Sequence, residues 1–434
     1  MLASFVVVLA LVVGVSTWLV AERGDSETRN GQRDATPTPS GSKASGLTDE
    51  AVVQRRDAIT ELLEGRSRAI LGRDRPAFLA LIDPAAGRFK DLQATIFDRL
   101  AKVPLATWDY DYAGEGPPLV GYLASLMPKG SFVARVNLRY TFVGNDSHVE
   151  SQQFLTLVQR EGSWLFAGDR DNVLGATSGA FGQDIWELGP VTVVHGRSSL
   201  VLGAAKASVL REYAQQADRA VRDVNAVWKG KWSRRPVVIV PRTQADMAAV
   251  IGTSEQIAGQ ITAVAIGYFE ADLTHGDRVV INPAAWREIG AEGRQIVMTH
   301  EVTHLATRAA TGTVPTWMAE GFADYVAYQA VDFSQAEIVE NLLDLVRDGE
   351  GPRELPEDRD FDPAYGVVET AYEEGLLVVQ MIAERYGEQE LVELYQAMAD
   401  EDDPVGEDIR AILGISSDKL VGDWRDYMQT VAGE

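Results

Sequence analysis

The chain contains no cysteine. That absence excludes a disulfide framework, a thiol nucleophile, Cys-ligated zinc and a lipid-modified N-terminal cysteine. Positive charge is also in short supply. The 40 Lys and Arg stand against 64 Asp and Glu, a formal net charge of −24. A surface this acidic repels phosphate backbones, so no nucleic-acid partner is expected. The surplus reads as solubility, and it is dense late in the chain, as from Asp400 to Asp403. Histidine is scarce, at five residues, and no internal repeat is visible.

What is present suits two globular domains: 434 residues, 46% of them hydrophobic. Met1 to Val20 carries no charged side chain and is rich in Val, Leu and Ala. About 20 apolar residues cross a bilayer. The segment has no basic n-region and no evident small-residue cleavage site, so 1–21 reads as an uncleaved single-pass anchor. A cleaved export signal is the alternative, and either places the bulk of the chain outside the cytoplasm. Arg23, Arg29 and Arg33 are mixed with Glu22, Asp25, Glu27 and Asp34, so flanking charge does not decide orientation. Residues 22–48 are polar and rich in Gly, Ser, Thr and Pro, a composition that cannot fold and reads as a linker.

The pattern turns globular at Asp49. Ala51 to Leu63 and Arg66 to Leu81 predict two helices broken near Gly65, and Leu92 to Leu100 a third. Val136, Leu138, Tyr140 and Phe142 then alternate with Asn137, Arg139 and Thr141, which predicts a half-buried strand. Turns at Gly144-Asn145-Asp146 and Glu161-Gly162-Ser163 flank a returning strand at Phe154 to Val158, and Trp164 to Phe166 follows. Helices followed by an antiparallel meander predict an α+β domain over 49–178. It resembles the cystatin-like, nuclear-transport-factor-like cone fold. It carries no catalytic constellation, so a spacer or interaction module is its plainer role.

Gly175 to Gly182 marks a boundary, and the second domain is expected over 186–434. Strands are predicted at Val191–Val194, Ser199–Leu202, Pro236–Val240, Ala263–Ile266 and Val279–Ile281. Leu210, Tyr213, Ala217, Val221, Val224 and Trp228 share one face of a long helix. The rest is largely helical, again α+β.

Chemistry concentrates at His300-Glu301-Val302-Thr303-His304. Histidines at i and i+4 project from one helix face, a spacing that lets both imidazoles bind one tetrahedral zinc. The intervening Glu can then act on a water beside the metal. By itself the pentapeptide leaves two readings open, catalytic zinc and a satisfied helical histidine pair. The segment Pro315 to Tyr325 adds to it. Proline opens a helix there, and the helix carries Glu320 and, at i+4, Asp324. A catalytic zinc takes three protein ligands, and two His with one Glu is an established set. Asp324 can accept the outer ring N–H of a ligand His and fix its tautomer.

His-Glu-x-x-His followed by Glu-x-x-x-Asp resembles the gluzincins, the thermolysin-like clan of zinc metallopeptidases. Trp317-Met318-Ala319-Glu320-Gly321-Phe322-Ala323 resembles the bacterial peptidase MA-like proteins within that clan. The resemblance implies one Zn2+ held by His300, His304 and Glu320, with Glu301 as general base and Asp324 behind the ligands. It implies a peptide or protein substrate paired to an edge strand, for which Ala263, Val264 and Ala265 are the candidates. It also implies a tyrosine that stabilises the oxyanion, with Tyr372 first and Tyr365 second. The small polar residues usual after that tyrosine are Glu373-Glu374 here. Expected, then, is a membrane-anchored extracytoplasmic zinc peptidase. The alternative is a catalytically silent protein of the same fold that binds or scaffolds in the cell envelope.

Overall fold

The computed structural model describes residues 49–119, 124–125, 127–145, 147–169, 182–270, 273–307, 314–399 and 405–433. For residues 49, 267–270 and 273–277 it describes the backbone alone. The expected anchor and linker lie outside the described residues. Among the described residues no helix is long and apolar enough to cross a membrane. The protein is a mixed α+β chain with two sheets. It divides into two compact units, one ending at Val191 and the other running from Thr192 to Glu434.

The first unit contains helices α1 (Asp49–Leu71), α2 (Arg75–Ala80) and α3 (Gly87–Leu100). A four-stranded antiparallel meander follows, β1 (Leu105–Glu115), β2 (Phe132–Phe142), β3 (Val149–Arg160) and β4 (Ser163–Asp169), paired in that order. Val136, Leu138 and Tyr140 of β2 are fully buried, while Asn137 between them is half-buried and Arg139 exposed. Ile59, Leu62 and Leu63 of α1 pack with Val136, Leu155, Leu157 and Phe166 of the sheet. Each such burial is worth roughly 1.5–3 kcal/mol.

The break expected near Gly65 does not occur; α1 continues to Leu71. A mid-helix glycine costs about 1 kcal/mol, less than the burial of Leu62, Leu63 and Ile70 around it returns. The chain turns instead at Gly72-Arg73, where Arg73 has φ 53°. Strand β1 was not expected, because Trp108 is its one fully buried side chain and no clean alternation shows. Helix α4 (Ile185–Leu188) belongs to this unit, although residue 186 was the expected start of the second domain. Trp186 meets Tyr140 with ring centroids 5.4 Å apart, and the Tyr140 hydroxyl donates to Asp184 Oδ1 at 2.5 Å.

The second unit opens with a five-stranded sheet, β5 (Thr192–His195), β6 (Leu200–Gly203), β7 (Val237–Val240), β8 (Ala263–Glu270) and β9 (Leu273–Ile281). Its order is β5-β6-β7-β9-β8. The β6, β7 and β9 strands are parallel, and β5 and β8 pair antiparallel at the two ends. Helix α5 (Ala207–Val227) joins β6 to β7, as a parallel pair requires a crossover. All four residues of β7 are buried, which is why they read as an unbroken β-branched run.

The sheet supports a helical layer: α6 (Gln244–Ile251), α7 (Ala291–Thr307), α8 (Thr316–Tyr328), α9 (Glu340–Arg347), α10 (Glu369–Tyr386), α11 (Glu388–Met398) and α12 (Ser417–Gly433). From Ile296 to Thr307 every side chain of α7 is buried, so this helix is enclosed on all faces. Phe322 of α8 packs in an aromatic cluster with Trp228 and Tyr395, at centroid distances of 5.9 and 4.9 Å.

Helices α8 and α10 cross at two glycines. A Cβ on Gly321 would overlap the Gly375 carbonyl, and one on Gly375 would lie 2.9 Å from the Trp317 carbonyl oxygen. This close approach sets the depth at which Glu320 enters the core. Gly321→Ala should therefore overpack the crossing and lower stability by about 1–3 kcal/mol in denaturant titration. Unchanged stability would refute the close-approach role.

Candidate metal centre

Two helices and their neighbours bring the sequence-selected residues to one point. Helix α7 supplies His300, Glu301 and His304, α8 supplies Glu320 and Asp324, α10 supplies Tyr372, and β8 supplies Ala265. All are buried; His300 is 2%, Glu301 1%, Glu320 3% and Asp324 2% exposed. The ring nitrogen His300 Nε2 lies 3.0 Å from His304 Nε2 and 3.3 Å from Glu320 Oε2. His304 Nε2 lies 3.2 Å from the same carboxylate oxygen. These three residues offer converging donor atoms that can hold a metal ion.

The spacing fits a tetrahedral ion. Bonds of about 2.0–2.1 Å at tetrahedral angles place donor atoms about 3.3–3.4 Å apart. The opposite ring nitrogen, His300 Nδ1, is 2.7 Å from Asp324 Oδ1. A proton held there leaves the Nε2 lone pair free toward the shared point. Thr303 and Thr307 donate their hydroxyls to the carbonyls of Thr299 and Thr303, so neither competes for the ligands.

The buried charges compensate one another when no ion is bound. Burial works to lower the His300 pKa, but the Asp324 and Glu320 carboxylates override it and hold the imidazole well above its usual range. Burial works to raise Glu320, and the two imidazoles reverse that, drawing it down to about 2. Three carboxylates, Glu301, Glu320 and Asp324, lie in one buried region with two imidazoles. A divalent cation is the natural complement to such a set.

Glu301 is anchored from the sheet. Its Oε2 accepts the Ala265 backbone N–H at 2.5 Å. Strand β8 is the last strand in the sheet order, and Ala263, Val264 and Ala265 are each at most 1% exposed. Tyr372 is 4% exposed, with its ring 5.1 Å from that of Phe361. Its hydroxyl has no hydrogen-bond partner among the described residues. Burial, then Glu320, Asp324 and Glu301, push its pKa well up and keep the phenol protonated. A buried hydroxyl left unsatisfied costs about 1–3 kcal/mol. Tyr365 is elsewhere, at 74% exposure. His148 and His195 are exposed, and the His275 side chain lies outside the described residues.

No protein-family model matches the chain, and no curated protein matches it. The site therefore stands on its own geometry.

Two contributors, Asp358 and Glu373, have no role in the sequence reading, and a third was assigned only in part. Ala265 was selected as strand, without its bond to Glu301. Asp358 accepts both the N–H and the hydroxyl of Thr316 and so caps the start of α8 from a distant turn. Glu373 accepts the Leu342 N–H and the Asn341 side-chain amide, both at 2.6 Å, and so anchors the start of α9. No local signal marks any of these long-range bonds.

Burial pushes Glu373 up to about 7. Burial, then Asp360 and Glu373, push the adjacent Glu374 up to about 8. Raised carboxyls favour the folded state while protonated, and that contribution is lost as pH rises through 7 to 8. The melting temperature should fall as pH rises from about 5 to about 8 and level off above that, and Glu374→Gln should flatten the fall. An equally steep fall in the variant would contradict this.

Metal content tests the centre itself. The purified chain should bind one metal ion, and His304→Ala should lose it by elemental analysis. Asp324→Asn should weaken metal affinity about 10–100-fold while the fold persists. Retention of the ion by His304→Ala would refute the ligand assignment.

Proposed function

We propose that this chain is a zinc-dependent peptidase of the gluzincin kind. On this reading Met1–Val20 anchors it and the catalytic unit lies outside the cytoplasm. The observation that carries the reading is the convergence of His300, His304 and Glu320, backed by the 2.7 Å contact of Asp324 with His300. Tyr372, buried with an unpartnered hydroxyl, and β8 at the end of the sheet are consistent with it. The helices and four-stranded meander of the first unit suit the cystatin-like, nuclear-transport-factor-like resemblance.

His300, His304 and Glu320 would hold the zinc, which when bound supplies Lewis-acid polarisation of a carbonyl and a water acidic near neutral pH. Asp324 keeps the proton on His300 Nδ1. Glu301 takes a proton from the attacking water and passes it to the leaving amine nitrogen. Tyr372 keeps its proton under the surrounding negative charge and donates a hydrogen bond to the oxygen that becomes negative. The Ala263–Ala265 main chain would align an extended peptide once the covering chain moves and Glu301 releases the Ala265 N–H, since these residues are buried at rest. Burial excludes bulk water, which strengthens each of these interactions.

The test is cleavage of an unbiased peptide library by the zinc-loaded protein. Glu301→Gln should keep stoichiometric zinc and lose hydrolysis. Tyr372→Phe should keep zinc and lower kcat about 10²–10³-fold. Wild-type cleavage by Glu301→Gln would overturn the mechanism. A zinc-loaded wild type that cleaves nothing in the library would favour the catalytically silent binding or scaffold protein instead.

A further inference from the structure

The first unit holds a cavity of about 210 Å³. That exceeds the roughly 150 Å³ that admits benzene in an engineered core. Ile70, Phe78, Leu100, Trp108, Leu155 and Trp186 form its apolar wall.

Arg66 lies in that wall and is 9% exposed. Its Nε donates to the Tyr110 hydroxyl at 3.2 Å and its Nη2 to Gln93 Oε1 at 2.6 Å. The guanidinium carbon sits 4.5 Å from the Phe78 ring centroid and 4.9 Å from that of Phe166. Its Nη1 makes no hydrogen bond among the described residues. No carboxylate forms an ion pair with Arg66 among the described residues. Asp169 reaches it only through Gln93, whose Nε2 donates to Asp169 Oδ2 at 2.8 Å. A guanidinium does not deprotonate, and a buried cation without an ion pair is costly.

Three acidic residues also line the cavity, Asp169, Asp184 and Glu187; Asp184 accepts the Tyr140 hydroxyl and Glu187 the Asp184 N–H. A simple anion would match Arg66 but meet those three. A simple amine would match them but leave Arg66 unanswered. One kind of small molecule meets both demands and the apolar wall together. We infer that this cavity binds a free α-amino acid with an apolar side chain, its carboxylate toward Arg66 and its ammonium toward the acidic groups. The inference is independent of the metal centre.

Calorimetry on the full-length protein tests it, with L-phenylalanine and L-leucine as probes. Phenethylamine lacks the carboxylate, and N-acetyl-L-phenylalanine lacks the ammonium. At least one amino acid should bind saturably at one site with Kd below roughly 1 mM. Each single-charge analogue should bind at least about tenfold weaker. Arg66→Lys keeps a cation between the phenyl rings but loses the planar fork, and should weaken binding by about tenfold or more. Should that variant fail to fold, the wild-type probe series still decides. His304→Ala should leave binding unchanged. Four results would each overturn the inference: no saturable binding of either amino acid, equal affinity for an analogue, undiminished binding by folded Arg66→Lys, or loss of binding in His304→Ala.

Discussion

Two imidazole nitrogens and one carboxylate oxygen, from His300, His304 and Glu320, lie within 3.0–3.3 Å of one another inside the protein. That arrangement is the constraint on which the second unit depends. Taking an imidazole pair and three carboxylates out of water is expensive unless their charges are compensated. A shared divalent cation satisfies the three donors at once. Asp324 then has a defined task, since the proton it holds on His300 Nδ1 frees the opposite nitrogen.

The scaffold around this point is built for position. From Ile296 to Thr307 the α7 side chains are buried, so packing on every face fixes the directions of His300, Glu301 and His304. The paired glycines let α8 and α10 approach closely enough to place Glu320 and Tyr372 in one region. Asp358 fixes the start of α8, and the Ala265 N–H fixes the Glu301 carboxylate. Each of these contacts spans a long stretch of sequence. The geometry therefore belongs to the folded unit and not to any peptide within it.

This division explains what was legible beforehand. The α7 motif could be read because i and i+4 fall on one helix face whatever the surroundings. Glu320 and Asp324 repeat that spacing, and Pro315 marks the start of their helix. Strands were expected at β5, β6, β7, the start of β8 and the end of β9, but neither the full length of the last two nor the strand order was legible, since pairing partners leave no local trace. Strand β1 was missed because its alternation is weak, and α1 was broken too early because burial outweighs one glycine. Arg66 looked like an ordinary helical cation; only the fold shows it inside a cavity with one nitrogen unsatisfied.

The central claim is the identity of the ligand set, and X-ray absorption at the zinc edge on the purified full-length protein tests it most directly. The account predicts one zinc per chain, with two imidazole nitrogens and carboxylate or water oxygens at about 2.0–2.2 Å. A chain that takes up no zinc, or a spectrum without imidazole scattering, would contradict it.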